Sequence, residues 1–324
     1  MSVEPELRDG PPWAMEEMIL AEPGLVAPIF ALPEAVEAAE WLRETETVVV
    51  TGCGTSEHAA MTGAALLGAT ARDAFEASLD PQPGGVLVAI SHEAGTAATR
   101  AALAAAAAAN ARTILITARP EVDTGADLTI ATPLVDTSWC HTVGYVSPLL
   151  ALTAIAGAAD AATCTAVIEG TLAQRSRFTE AARHLAGCTR LIATGSGLDE
   201  ITARELALKV EEATHVPTTP LGLEKVLHGH LPAADERTGI VIVRADPSAK
   251  AQRDRRAEDV KAAVTVLDMP IVTVDGLPDG HPLLAGAIAL QLFTYELALA
   301  RGTNPDLIRR EDPKYRAAAA AAKA

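Results

Sequence analysis

Residues 48–54, VVVTGCG, and residues 191–197, LIATGSG, repeat one pattern at two places in the chain. Each is an apolar, mostly β-branched run that ends in a Gly-x-Gly turn and continues into helix-forming sequence. This order is typical of a strand–loop–helix unit in a parallel sheet, where a strand buried on both faces is apolar throughout. The repeat predicts an internal duplication and therefore two similar halves.

The alternation of strands and helices continues in both halves. Residues 86–90 and 113–117 predict buried strands, separated by an alanine-dense helix over residues 96–110. Residues 239–243 and 271–274 predict strands in the second half, with a charged helix between them, over residues 248–263. We therefore predict an α/β fold of two doubly wound parallel sheets in tandem, each an αβα sandwich of the flavodoxin-like type.

The halves are joined without a Gly/Ser-rich linker, so we expect them to pack tightly. Residues 141–185 predict two long helices rich in Ala and Leu, residues 283–301 predict a closing helix, and the terminal AAAAAAKA is expected to fray. The predicted organisation is an N-terminal helical segment (1–45), a first domain (46–160), a connecting helix (161–188), a second domain (189–301) and a C-terminal tail (302–324).

Composition limits the possible partners. The 324 residues are 49% hydrophobic, enough for two lobes with their own cores. With 42 acidic and 26 basic residues the net charge is −16, which repels nucleic acid and anionic membrane surfaces, so we expect neither as a partner. The first residues lack the pattern of a signal peptide, and no charge-free apolar run of about 18 residues occurs, which predicts a cytoplasmic protein.

The four cysteines are Cys53, Cys140, Cys164 and Cys188. They are far apart in sequence and form no CxxC or Cys/His ligand spacing. We predict that they are reduced thiols in the core and that the chain has no metal site.

The turn Gly52-Cys-Gly-Thr-Ser56 is a candidate anion site. It opens a helix, whose N-terminal N–H groups, with the hydroxyls of Thr55 and Ser56, suit an anion. Ser91 and Thr96 follow the next strand at the same sheet edge, where open α/β sheets bind ligands. The alternative is that Thr55 or Ser56 only caps the helix. GCGTSE lacks the third glycine of GxGxxG and no ribose-binding acid ends the next strand, so no dinucleotide or other cofactor is predicted.

Residues 204–229, RELALKVEEATHVPTTPLGLEKVLHG, predict a proton-transfer set. Glu205, Lys209 and Glu212 share one helical face, because steps of four and seven residues return to within about 40° of the same direction. His228 follows in a loop. The helix dipole raises the pKa of Glu212 and Lys209 lowers it, and the sequence leaves the sum open. The alternative is an ordinary i,i+4 pair, a solvated Glu212, and a His228 that only binds a loop carbonyl.

GCGTS, SHEAGTAAT, RELALKVEE and the downstream HG together resemble the sugar isomerase (SIS) family in its duplicated form, over roughly residues 30–310. The resemblance implies a sugar aldose–ketose isomerase or amino-sugar deaminase that acts as a homodimer with shared sites. It implies that Glu212 is the base that moves a proton between C1 and C2. It also implies that Lys209 and Glu205 line the same site, and that His228 opens the sugar ring from the neighbouring subunit.

The resemblance further implies a phosphate-binding cup. Its members are Gly54, Thr55, Ser56, Ser91, His92, Glu93 and Thr96, with Thr137, Ser138 and the tail residue Lys314 nearby. Glu93 departs from the family, which commonly has a serine there. Two like charges about 4 Å apart, at an effective dielectric constant near 20, repel by about 4 kcal/mol. A protonated His92 could offset this repulsion, or Glu93 could point outward; otherwise the ligand is unphosphorylated or carries an amine.

Two further departures weaken the case for an anion. Thr137-Ser138-Trp139 replaces the family's Ser-Thr-Lys, which keeps hydroxyls and loses a lysine. Trp139 could stack on a sugar or pack in the core. Lys314 lies one position away from the family's tail lysine.

Three functions are therefore expected, in order. The first is a stand-alone isomerase or deaminase of a hexose 6-phosphate or amino-sugar phosphate. The second is a sugar-binding regulator without turnover, although residues 1–45 leave no room for a helix-turn-helix domain. The third is an enzyme for an unphosphorylated sugar derivative. Glutamine hydrolysis is not expected, because the sequence has neither the N-terminal cysteine nucleophile nor the extra domain that it needs.

Overall fold

A computed structural model describes residues 4–248, 250–275 and 282–321. The first half contains, in chain order, α1 (Ala14–Ala21), α2 (Val26–Phe30), α3 (Pro33–Arg43), β1 (Val48–Gly52), α4 (Thr55–Leu67), β2 (Thr70–Asp73), α5 (Ala74–Leu79), β3 (Val86–Ile90), α6 (Ala97–Ala108), β4 (Arg112–Thr117), β5 (Leu128–Ala131) and α7 (Val143–Ala156). The strands predicted over residues 86–90 and 113–117 and the alanine-dense helix are confirmed.

The remainder contains α8 (Ala161–Leu172), α9 (Arg175–Leu185), β6 (Arg190–Gly195), α10 (Leu198–Thr214), β7 (Thr218–Gly222), α11 (Leu223–Lys225), β8 (Thr238–Arg244), α12 (Lys250–Thr265), β9 (Ile271–Asp275), α13 (Pro282–Arg301) and α14 (Pro313–Ala321). The prediction of two long helices over residues 141–185 is wrong, because the chain turns twice there and forms three: α7, α8 and α9. The terminal AAAAAAKA is helical in α14 up to Ala321, and its last three residues lie outside the described residues.

The two sheets are both parallel, which confirms the predicted fold class. The first has the strand order β2-β1-β3-β4-β5 and the second β7-β6-β8-β9. In each sheet the order reverses beside the strand that leads into a Gly-x-Gly turn, so that turn lies at the crevice where doubly wound sheets bind ligands. Thr51 of β1 pairs with Ala89 of β3, and Thr194 of β6 pairs with Ile242 of β8, which puts the two halves in the same register.

The halves share one hydrophobic core, as the absence of a flexible linker predicts. The core runs from the N-terminal helices through α7 to α10 and α13. Leu283–Arg301 is long and apolar enough to cross a membrane, but 89% of its apolar window is buried inside the protein, which is the pattern of a core helix. The helix α10 packs against both α13 and α4, so the second half reaches directly into the first.

Candidate active site

A cleft of about 320 Å³ lies at the carboxyl edge of the first sheet. It is lined by Cys53, Gly54, Thr55, Ser56, His92, Glu93, Thr96, Trp139, His141, Leu208, Glu212, Ile308 and Arg310. The lining therefore joins the first Gly-x-Gly turn, the loop after β3, the end of α10 and the loop after α13. Seven of the predicted site residues are among it.

The first Gly-x-Gly turn is open toward the cleft. Gly54 is the N-cap of α4 with φ 58°, a left-handed conformation that glycine adopts readily, and no side chain caps the helix. A Cβ added to Gly54 would have Leu208 Cδ2, at 4.0 Å, as its nearest neighbour. The alternative that Thr55 or Ser56 serves only as the cap is therefore wrong. Their hydroxyls lie at the helix N-terminus beside the cleft.

The predicted acid–base set converges where α10 packs against α4 beside the cleft. The Lys209 ammonium is 1% exposed and lies 2.5 Å from Glu212 and 3.7 Å from Glu205. Glu205 is fully buried, whereas the Glu212 side chain is 23% exposed and lines the cleft. One helical face thus places Glu212 at the cleft surface and keeps Lys209 and Glu205 buried next to it.

The protonation equilibria follow from this burial. Burial raises the pKa of Glu212, and the opposing attraction of Lys209 does not cancel that shift. For Glu205, burial raises the pKa, but Lys209 and His58 outweigh it and the pKa is lowered. Burial opposes the charge on Lys209, yet Glu212 and Glu205 raise its pKa. The resulting carboxylate–ammonium network supplies a carboxylate of raised basicity at the cleft surface.

His58 also belongs to this network, although no motif in the sequence points to it. His58 Nδ1 lies 2.6 Å from Glu205 Oε2, and the imidazole is 14% exposed. His58 follows Thr55 by one helical turn, so both residues face the site from α4. Its partner lies 147 residues away in sequence, and only the packing of α4 on α10 brings the two together.

His92 lines the cleft as a neutral base. The backbone N–H of Asp136 donates a 2.9 Å hydrogen bond to His92 Nε2, which must therefore carry a lone pair. Burial, together with the neighbouring His141, lowers the pKa of His92 to about 4. The expectation that a protonated His92 could offset the charge of Glu93 is therefore wrong at neutral pH. Glu93 itself is half-buried and lines the cleft.

Seven predicted residues do not line the cleft within this chain: the buried Glu205 and Lys209, and five others. Ser91 and Ser138 are buried, and Thr137 is half-buried, below the surface of the site. Lys314 is exposed at the start of α14. His228 is 72% exposed and pairs with Glu224 at 2.9 Å. The basic residue that does line the cleft is Arg310, whose guanidinium carbon lies 4.7 Å from the centre of the Trp139 ring.

Three of the predicted core thiols are buried: Cys140, Cys164 and Cys188. Cys53 is half-buried at the cleft, and all four are free. Burial raises the pKa of Cys53, which keeps it a thiol at neutral pH. In the ranges that the structure describes, no three His, Cys, Asp or Glu side chains cluster so as to hold a metal ion.

The second Gly-x-Gly turn is closed. Asp246 accepts a hydrogen bond from the backbone N–H of Leu198 at 3.1 Å and forms an ion pair with Arg253. A Cβ added to Gly197 would lie 2.2 Å from Arg253 and 2.8 Å from Asp246. The protein's own carboxylate therefore occupies the helix N-terminus that would otherwise receive an anion.

Fold and cleft define a class of protein: a tandem, doubly wound α/β protein with an open cleft lined from both halves. The model of the SIS domain matches residues 41–158, which contain the first sheet.

Curated proteins are similar over most of the chain. The chain is 26% identical over 310 residues to the isomerizing glutamine–fructose-6-phosphate aminotransferase of Gloeobacter violaceus, which covers 81% of this chain. The chain spans about half the length of the curated relatives it matches, 50% for this one.

Solved structures show the same fold. The C-terminal domain of glucosamine-fructose-6-phosphate aminotransferase from Francisella tularensis has a TM-score of 0.79 at 20% identity, covering 93% of this chain and 99% of that one. Tagatose-6-phosphate ketose/aldose isomerase from Escherichia coli has a TM-score of 0.76 at 18% identity, covering 91% and 95%.

Proposed function

We propose that the chain catalyses the aldose–ketose isomerisation of a sugar phosphate by moving a proton between neighbouring carbons. The observation that carries this proposal is the position of Glu212, which lines the cleft while its charge is balanced by the buried Lys209. The names of the relatives, which include a ketose/aldose isomerase of a sugar phosphate, support the same substrate class. An amino-sugar phosphate deaminase would use the same proton transfer, followed by addition of water at C2 and loss of ammonia.

In this mechanism Glu212 removes the proton from the carbon beside the carbonyl, giving an enediolate. It then returns the proton to the adjacent carbon while the hydroxyl proton passes from one oxygen to the other, so the atoms balance without a cofactor. Lys209 is too buried to touch a sugar, and it acts by holding Glu212. Glu205 holds Lys209 in turn and His58 holds Glu205, which makes both positioning residues rather than bases.

We further propose that His228 serves the cleft of a second copy. Within its own chain it is exposed and off the cleft. A homodimer that shares its sites would bring an exposed imidazole from the partner to the sugar, where it could open the ring.

Proton NMR in D2O tests the isomerisation. Fructose 6-phosphate, glucose 6-phosphate, tagatose 6-phosphate and glucosamine 6-phosphate should each be incubated with the protein. We expect at least one to take up deuterium at C1 or C2 and to convert, because base-catalysed transfer exchanges with solvent. Binding without exchange or conversion, on phosphorylated and free hexoses alike, would instead favour the regulator without turnover, a role that Glu93 in the cleft also favours.

Mixed dimers test the sharing of sites. Glu212→Gln and His228→Ala should each be inactive alone. When they are refolded together, random pairing rebuilds one intact site per heterodimer and should restore about a quarter of the wild-type turnover. If the mixture is as inactive as its parts, each chain uses its own His228, and if His228→Ala alone is active, no site uses it.

A further inference from the structure

The loop between α13 and α14 forms one wall of the cleft. Ile308 and Arg310 both line the cleft, and the Arg310 guanidinium stacks on the Trp139 ring. A guanidinium that stacks through its face keeps the N–H groups at its edge for other partners. Arg310 is therefore held in place by a contact that does not use its hydrogen-bond donors.

The same loop is fixed to the body of the protein. The Asp306 carboxylate accepts hydrogen bonds of 2.8 Å from the backbone N–H groups of Ala14 and Met15, at the start of α1. The Asp306 carbonyl accepts another, of 3.0 Å, from the N–H of Trp139. The residue is 1% exposed, so these bonds form a buried anchor at the base of the loop.

The loop backbone is strained where it reaches the cleft. Ile308 has φ 42° and Arg309 has φ 63°, both in the left-handed region that residues other than glycine rarely adopt. A β-branched residue there costs of order 1–3 kcal/mol and persists only when its surroundings enforce it, which is typical of functional sites. Here the strain directs Arg310 toward the cleft, while Arg309 turns away and stacks on Tyr315 at 4.3 Å.

Arg310 lines the same cleft as Glu212 and His141. Burial first, then the charges of Lys209 and Arg310, lower the pKa of His141 to about 4, so both cations act on the same imidazole. Glu212 and Glu93 bring negative charge to the lining, and Arg310 brings a fixed positive charge. A cation held opposite a carboxylate base is suited to the oxygen on which negative charge lies or develops.

We propose that Arg310, held by Trp139, binds an anionic oxygen of the ligand beside Glu212. The identity of that oxygen rests on the proposed function: it is the enediolate oxygen of a sugar in turnover, or a phosphate or carboxylate already present on the bound ligand. In either case the ligand carries, or acquires, a negative charge in the cleft.

Calorimetric titration of three probes tests this assignment at constant ionic strength. The probes are inorganic phosphate, glucitol 6-phosphate, which lacks a carbonyl, and a hydroxamate analogue of the enediolate built on a five-carbon aldonic acid 5-phosphate. Arg310→Met should weaken at least one of them by about 10- to 100-fold, since a charge-assisted hydrogen bond is lost. Arg310→Lys should recover part of the affinity. Arg309→Met is the matched control, and it should change every affinity less than about twofold because it removes a stacked arginine outside the cleft.

The pattern of losses identifies the oxygen. Loss confined to the hydroxamate indicates the enediolate oxygen, whereas equal loss with glucitol 6-phosphate and phosphate indicates a charge on the ligand itself. Unchanged affinities in Arg310→Met, equal losses in Arg309→Met, or a wild type that binds none of the probes would overturn the assignment. If Arg310→Met weakens binding while the wild type converts no sugar, only the proposed isomerase activity fails. If the wild type converts a sugar and Arg310→Met does so unchanged, only the assignment of Arg310 fails.

Discussion

Gly54 and Gly197 cap α4 and α10 with nearly the same backbone angles, φ 58° and ψ −124° against φ 64° and ψ −126°. Their surroundings are opposite. The turn at Gly54 opens onto the cleft, whereas the turn at Gly197 is filled by the ion pair of Asp246 and Arg253. Identical backbones thus do not make identical sites, because the loop after the neighbouring strand decides whether a turn can receive a ligand.

The sheet register makes this comparison residue by residue. Asp246 stands four residues after Ile242, and Glu93 stands four residues after its register equivalent, Ala89. Both positions carry an acid. In the second half the acid reaches the helix N-terminus and is held by Arg253, whereas in the first half Glu93 lines an open cleft. The position that closes the turn at Gly197 therefore sets the charge of the cleft at Gly54.

The largest expected effect concerns the two ends of α10, which begins at the closed turn and ends at the open one. Glu212→Gln should lower turnover by about 1000-fold, because it removes the proposed base. Glu200→Gln, at the closed end of the same helix, is the control and should leave turnover within about twofold, because it changes only a surface pair. Steady-state kinetics on the substrate found by NMR checks both. Equal losses in the two variants would place the chemistry elsewhere.

Breaking the closed turn should cost stability. Asp246→Ala leaves Arg253 and the N–H of Leu198 without their partner and should lower the free energy of unfolding by about 3 kcal/mol. Asp254→Ala, which removes a more exposed ion-pair partner on α12, should cost less than about 1 kcal/mol. Urea unfolding measures both. A loss for Asp246→Ala no larger than the control would mean that the closed turn is not a stabilising element.

His92 should give the open half a component of the pH dependence of stability that the closed half lacks, since Ala245 stands at the equivalent position. The pKa of His92 falls from 6.5 to about 4 on folding. Above pH 6.5 the histidine is neutral in both states. Between pH 6.5 and 4 only the unfolded state binds the proton, so stability falls as the pH falls, by up to about 3 kcal/mol. His92→Gln should remove this component from unfolding curves measured at each pH, and parallel curves for variant and wild type would refute the assignment.

The smallest expected effect is a gain in affinity for a sugar phosphate. Glu93→Ser removes a negative charge from the open cleft and should tighten the binding of a sugar phosphate by about tenfold, provided that the phosphate lies near it. Isothermal titration of the variant with phosphorylated and free sugars separates the charge effect from general loosening. Unchanged phosphate affinity would show that Glu93 does not face the anion, and weaker affinity would show that it binds the ligand directly.

The central strands and the site helix could be predicted because buried positions require apolar residues, which leave a recognisable pattern in the sequence. All five residues of β3 are buried, and only apolar residues satisfy such a strand. The edge strands β2 and β7, with sequences TARD and TTPLG, are short and partly polar, and Pro220 is tolerated in β7 because it lies at a sheet edge. Such strands carry no periodicity that would distinguish them from loops.

The acid–base part of the site could be predicted because its residues are close in sequence. Glu205, Lys209 and Glu212 lie on one helix, so their convergence follows from helical geometry alone. His58 and Arg310 could not be found in that way, because the first depends on the packing of α4 on α10. The second depends on left-handed backbone at Ile308 and Arg309, a conformation that neither residue type suggests.

The closed turn at Gly197 fixes the start of the helix that carries Glu212. Since α10 is one helix of 17 residues, about 25 Å long, the Asp246–Arg253 pair at its start secures the same rod that presents Glu212 at its end. The second half, whose own turn is closed, thereby supports the cleft at the turn of the first half. Neither half should therefore be active when expressed alone, because the open cleft of the first half needs the helix that the second half supplies.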